Sequence, residues 1–258
     1  MKKGFGVVLL GHLPEELEQA RASLERLKPA APVEIRVMNA QTATDNEILK
    51  LVQSLDYVPV TILVNNVGGC PIDTPPMRDL STYSFQDIDA VIDMNARFMA
   101  KLSSLMILLL RRNSAQARCR ALILNLSSAG NCGLPWLTMY GATKAFNLAL
   151  SQGISRELEI DPTNVVDCLA IVPADVVSQG NCKGVPGSAP GWESFGACIV
   201  RTVDGAVQRQ MRELSPYWLH DLQLRILPWL NEVTRTQELI KTVVRKKDAW
   251  DEHFKKDE

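Results

Sequence analysis

The residues best placed to do chemistry are Tyr140 and Lys144, which stand four positions apart in Tyr140-Gly141-Ala142-Thr143-Lys144. At that spacing two side chains share one face of a helix. A cation beside a phenol favours the phenolate, so the lysine is expected to pull the tyrosine's pKa down from about 10 toward neutrality. Such a phenol exchanges a proton with a carbonyl oxygen. The same spacing also occurs as a plain surface contact, so the neighbouring segments decide. Just upstream, Leu124-Asn125-Leu126-Ser127-Ser128 puts two hydroxyls at the end of an apolar run. A serine there either donates a hydrogen bond to a substrate carbonyl or closes an ordinary turn. Farther upstream, Ile62-Leu63-Val64-Asn65-Asn66-Val67-Gly68-Gly69 ends another run in amides and glycines. The amides can tie adjacent strand ends together, and the glycines let a ligand approach the backbone.

The elements that must position these residues follow from hydrophobic pattern. Short runs rich in branched residues at 6–10, 33–38, 61–67, 121–126 and 165–172 read as strands. Helix-period stretches lie between them at 14–27, 44–55, 85–112 and 139–159. Strand, helix and strand in alternation mean right-handed crossovers and a parallel sheet covered on both faces. Ligands bind such sheets beyond the carboxyl ends of their strands, where Asn65, Ser127 and Ser128 fall. Residues 173–191 hold four glycines and three prolines among polar residues, which reads as a long lid-like loop.

At 258 residues, 46% apolar and 22% charged, the chain reads as one α/β domain over 1–258 with an amphipathic, charged tail from about 206. A net charge of −1 argues against a nucleic-acid partner. Six scattered cysteines without a Cys-x-x-Cys pair read as reduced core thiols. His12, His220 and His253 lack ligand-like spacing, so no metal site is expected. No apolar run is long enough to span a bilayer. Residues 218–233 are apolar enough to cap a lipid site, to lie on a membrane or to form a buried helix.

Together these segments resemble the short-chain dehydrogenase/reductase family over most of the chain. The family's Asn-Asn-Ala-Gly motif is matched by Asn65-Asn66-Val67-Gly68, and its helix asparagine by Asn95. Its Ser and Tyr-x-x-x-Lys set is matched by Ser128, Tyr140 and Lys144, and its Pro-Gly motif by Pro173-Ala174. Runs such as Leu137-Thr138-Met139-Tyr140 and Tyr217-Trp218-Leu219-His220-Asp221-Leu222 look like the branch of 17β-hydroxysteroid dehydrogenases and very-long-chain 3-oxoacyl-CoA reductases. The resemblance implies a Rossmann-like doubly wound parallel sheet and an NADP-dependent oxidoreductase of a lipid-like substrate. It assigns Ser128, Tyr140, Lys144 and Asn95 to catalysis, with Ser127 as a substitute for Ser128 and Asn95 holding water toward Lys144. It places Asn39, Asn66, Tyr140, Lys144, Pro173 and Val176 around NADP(H). It further implies membranes of the endoplasmic reticulum, a fit for the dilysine-like tail Lys255-Lys256-Asp257-Glu258, and a fold compatible with homodimers.

The front of the chain departs from the family. Gly4, Gly6 and Gly11 do not form its Thr-Gly-x-x-x-Gly-x-Gly turn, and the opening run reads as the family's second strand. His12 stands where the branch usually carries an arginine, and Asn39 where an aspartate is usual. The absence of an acidic residue ending the opening strand favours NADP over NAD. The expectation is a chain lacking its first strand and helix, as an incomplete version of a longer protein. A non-catalytic relative is the rival reading.

Overall fold

The computed structural model describes residues 4–70 and 76–257. The side chains of the Lys255-Lys256 tail lie outside the described residues. The chain divides into two compact units, 1–58 and 59–258.

The first unit is a β-α-β-α segment: β1 (Val7–Gly11), α1 (Pro14–Leu27), β2 (Val33–Val37) and α2 (Asp45–Gln53). β1 and β2 pair in parallel from Val7 opposite Val33 to Gly11 opposite Val37. Helix α1 starts with Pro14, which needs no amide partner there, and with Glu15 and Glu16 favoured at the positive end of the helix. Helix α2 starts with a capping box in which the Thr44 side chain accepts from the Glu47 amide and the Glu47 carboxylate from the Thr44 amide.

The second unit carries a four-stranded parallel sheet ordered β3 (Ile62–Asn65), β4 (Ala121–Leu126), β5 (Val166–Ile171) and β6 (Glu213–Leu214). Its crossovers are α3 (Phe85–Ile92) running into α4 (Phe98–Ala117), then α5 (Thr138–Ile160), then α6 (Trp192–Gln208). β4 and β5 are buried on both faces, as parallel strands between helices must be, with Ile123, Leu169 and Ile171 fully covered. After β6 come α7 (Trp218–Ile226) and α8 (Glu232–Asp257).

The α/β Rossmann-like class is therefore present, and each expected strand lies within one residue of its observed bounds except at the end of β3, which stops two residues early. Two features differ from the sequence reading. The stretch 85–112 is not one regular helix: a π-turn over Asp93–Arg97 separates α3 from α4, and α4 runs on to Ala117. Beyond 191 the chain adds α6 and the short strand β6, and Ala206 and Leu214 are buried there in a core cluster with Leu169 and Phe195. Cys168 and Cys198 are buried thiols as expected, whereas Cys119, Cys132 and Cys182 lie at the surface.

Candidate active site

The carboxyl ends of β3 and β4 are tied by buried amides. Asn65 Nδ2 donates to Asn125 Oδ1 at 2.7 Å and to Ser103 Oγ at 2.9 Å. Asn125 Nδ2 continues the chain to Ser151 Oγ on α5 at 2.9 Å. Each strand end is thereby fixed to the helix that packs on it, which holds the loops that follow.

Those loops converge on Lys144. Its side chain is only 4% exposed, and Nζ donates to the Leu126 carbonyl at 3.1 Å. Ser127 donates its buried hydroxyl to the Lys144 carbonyl at 2.7 Å and so ties the end of β4 to α5. Ser128, half-buried and extended, accepts from the Gly130 amide and hydrogen-bonds with the Tyr140 phenol. Burial pulls the Lys144 ammonium down to about 8, against a small opposing contribution from Cys70.

Asn95, fully buried in the π-turn, binds the turn after β3. Oδ1 accepts from the Gly69 amide at 2.8 Å, while Nδ2 donates to the Gly69 and Val91 carbonyls. Such single-turn π-bulges re-aim one side chain and recur at functional sites. Gly68, at φ +152°, threads between these groups: a Cβ there would sit 2.6 Å from Asn95 Oδ1 and 2.7 Å from Lys144 Nζ.

Tyr140 stands one turn before Lys144, with the ammonium 5.6 Å from its ring centroid. The expected acidification of the phenol does not occur. Burial pushes its pKa up, and hydrogen bonding with Ser128 only partly offsets this. The physical reason is that both groups share an apolar enclosure, where desolvation disfavours the phenolate and the ammonium alike. Tyr140 therefore stays a protonated donor.

The remaining expected residues are placed unevenly. Pro173 accepts the Ala129 amide at 2.7 Å, beside Ser128, and Val176 packs on the core cluster of Leu169 and Phe195. Asn66 is exposed, with its amide on the Val64 carbonyl. Asn39 belongs to the first unit, where its side chain accepts from the Gln41 amide and closes its own turn. Sequence reasoning overlooked His220: 2% exposed, its Nδ1 accepts the Ala174 amide at 3.3 Å and so supports the start of the 173–191 loop. Its only early signal was the likeness of the Tyr217–Leu222 stretch to one branch of the family.

A hydroxyl, a phenol and a buried amine lie together beyond the carboxyl end of β4 in an α/β protein. The sequence profile of the family described as short chain dehydrogenase matches residues 1–183, and the chain belongs to that family of oxidoreductases. A very-long-chain 3-oxoacyl-CoA reductase of Candida albicans is 27% identical over 227 residues, which are 86% of this chain and 63% of that protein. Human 17-beta-hydroxysteroid dehydrogenase type 3 is 30% identical over 158 residues, 60% of this chain and 47% of that one. A short-chain dehydrogenase from Sphingobium yanoikuyae, solved with NADPH, superposes with a TM-score of 0.65 at 19% identity, over 88% of this chain and 84% of that one. The chain thus spans less than two thirds of the length of these curated relatives.

Proposed function

We propose that Ser128, Tyr140, Lys144 and Asn95 are the proton-handling half of an NADPH-dependent carbonyl reductase acting on a lipid-like ketone, a 3-oxoacyl-CoA or a 17-ketosteroid. The observation that carries this reading is the convergence of a hydroxyl and a phenol in hydrogen-bond contact, with a buried amine beside them, beyond the end of β4. Ser128 orients the carbonyl oxygen, and Tyr140 hands it the phenolic proton. Lys144 spends one N–H on Leu126 and has two more for the ribose of a nicotinamide nucleotide. Gly69, with open space where a Cβ would stand, fits the close approach of that ligand, while Gly68 packs against Asn95 and Lys144. When bound, the dinucleotide supplies the hydride. Asn95 fixes the Gly68-Gly69 turn and retains one lone pair on Oδ1 for a water directed toward Lys144. NADP is preferred because His12 follows β1 with no carboxylate at its end to meet ribose hydroxyls.

Substrate class follows the names of the relatives. Among the described residues no helix is long and apolar enough to cross a membrane. The exposed Trp218, Leu222 and Ile226 of α7 offer an apolar surface for association with the endoplasmic reticulum membrane. Substituting Tyr140 by Phe is expected to cut turnover by a factor of about 100 or more with little change in fold. Near-normal turnover would remove Tyr140 from the reaction.

A second reading is a non-catalytic relative, since Pro173 is followed by Ala174 and not by the glycine of the family's Pro-Gly motif. Titrating NADPH against the folded protein separates the two. Binding near the micromolar range supports the reductase, and absence of binding supports the relative.

A further inference from the structure

His220 is a titratable group that the proton transfer at Tyr140 does not use, and it is buried on the inner side of α7. Its ring lies edge-on to Tyr217 at 4.9 Å and tilted against Phe195 at 5.8 Å. Phe195 belongs to the core cluster with Leu169 and Leu214, and Tyr217 packs against that cluster, so the imidazole is held in one orientation. In that orientation Nδ1 accepts the Ala174 amide at 3.3 Å. A neutral imidazole accepts at one nitrogen only, so its proton resides on Nε2.

This hydrogen bond lies one backbone step from the site. The Val172 amide donates to the Leu214 carbonyl at 2.9 Å, and Pro173 has no N–H. Ala174 therefore carries the next amide at the exit of β5, and His220 is the side chain that receives it. Between these two anchors the Pro173 carbonyl accepts the Ala129 amide at 2.7 Å. Ala129 directly follows Ser128, so that contact fixes the plane of the Ser128–Ala129 peptide. On the other side of Ser128, the Ser127 amide donates to the Ile171 carbonyl at 2.9 Å. The backbone flanking Ser128 thus takes its position from the exit of β5, and that exit is pinned by His220.

We propose that His220 is a positioning residue for the carbonyl chemistry: its neutral imidazole, acting through the Ala174 amide and the Pro173 carbonyl, holds the Ser128–Ala129 peptide in place, and protonation of the ring releases it. A protonated Nδ1 is a donor, and it would face the Ala174 N–H, a second donor. Burial holds the ring's pKa below its ordinary 6.5, against an opposing backbone hydrogen bond and charge at Asp175. That carboxylate is itself paired with Lys246 and Arg245 of α8. On α7, Asp221 is engaged by Arg225 at the surface, and Tyr217 meets the ring with its edge. From α6 the ring meets the apolar Phe195. The unfolded chain takes up the proton more readily, so this group's stabilisation is complete above the unfolded value of 6.5 and is lost as pH falls through the lower folded one. The effect on turnover rests on the reductase reading, whereas the pin itself is readable without substrate.

The test follows amide exchange at Ala174 and Ala129 in the full chain by NMR, expressed as protection over the intrinsic rate, from about pH 7.5 to about pH 5. His220→Asn offers Oδ1 where Nδ1 stood and does not titrate in that range, while His220→Leu fills the space without an acceptor. Protection of both amides is expected to fall about tenfold toward acid in the parent, to stay level in His220→Asn, and to be low throughout in His220→Leu. In ketone reduction, kcat of the parent should show an acid limb that His220→Asn lacks. Protection level with pH in the parent, or an acid loss shared by His220→Asn, would overturn the proposal. High protection in His220→Leu with native circular dichroism would do the same, and if that variant does not fold, the parent and His220→Asn decide. Exchange as expected with an acid limb of kcat unchanged in His220→Asn would overturn the role in turnover. Exchange as expected in a chain that reduces no ketone would sink the reductase reading and leave the pin standing.

Discussion

Lys144 is an amine held among carbonyls and apolar groups, and the cost of its charge gives a measurable pH dependence. Its pKa is about 8 in the folded chain against 10.5 when unperturbed. The unfolded state therefore binds more protons between these values, and stability from this group rises as pH climbs from about 8 to 10.5. A displacement of that size corresponds to about 3 kcal/mol. Lys144→Met is thus expected to be more stable than the parent at pH 7, and its advantage should shrink toward pH 10.5. Urea unfolding of both proteins across that range reads the difference, and an advantage flat in pH would contradict the burial argument. The same scale explains what was legible in the sequence. The four-residue spacing of Tyr140 and Lys144 placed them on one face, because that depends only on local geometry. The direction of the tyrosine's pKa was not legible, because desolvation comes from Trp136, Leu137 and α8, which are distant in the chain or set by tertiary packing. Gly68 offers a second test: Gly68→Ala forces a side chain into the space of Asn95 and Lys144 at φ +152°. It should cost about 1–3 kcal/mol of stability and release the Gly69 amide from Asn95, seen as faster amide exchange there.

Among the elements, the parallel strands were legible because buried strands read as continuous apolar runs, and β4 matches its expected bounds of 121–126. The tie between strand ends was legible too, since Asn65 and Asn125 occupy register partners on β3 and β4. Asn125→Leu is expected to destabilise by about 1–3 kcal/mol, because it removes two buried hydrogen bonds, the acceptor of Asn65 Nδ2 and the donor to Ser151 Oγ. Denaturant midpoints measure this, and a neutral effect would mean the amide chain is not what holds those ends. Asn147 makes the opposite case. Fully buried one turn after Lys144, both its amide atoms lack partners among the described residues. Asn147→Leu should therefore gain about 1–3 kcal/mol, and a loss instead would reveal a buried water satisfying the amide. Other elements left no readable trace. A two-residue strand such as β6 has no periodicity to detect, and the π-turn at Asp93–Arg97 keeps the composition of an ordinary helix. The position of α8 depends on contacts spanning more than 60 residues, including Lys246 with Asp175 and Arg245 with Gly184.

At the scale of the molecule, the surface that stands out is the outer side of α7 and the turn after it. Trp218 is 68% exposed, Trp229 90% and Val233 68%, with Leu222 and Ile226 about half exposed between them. The sequence reads this segment as a cap over a lipid site, a membrane-lying stretch or a buried helix; in the structure His220 faces inward, while Trp218, Leu222, Ile226, Trp229 and Val233 are exposed. Tryptophan favours the boundary between water and acyl chains, where its ring is covered and its N–H stays hydrated. At about 25 cal/mol per Å², covering two rings of roughly 150–250 Å² offers several kcal/mol, enough for reversible attachment but far from that of a membrane span. A cleft walled by Leu227 and Pro228 adjoins this segment, so attachment there would bring the cleft close to the membrane surface. The expected outcome is co-sedimentation of the folded chain with liposomes, reduced at least several-fold when Trp218 and Trp229 are both changed to Ser. Blue-shifted tryptophan emission on liposome addition should disappear in the same double variant. If the parent stays in the supernatant and instead runs as a dimer that the double variant splits, the apolar face serves a second copy of the chain rather than a membrane.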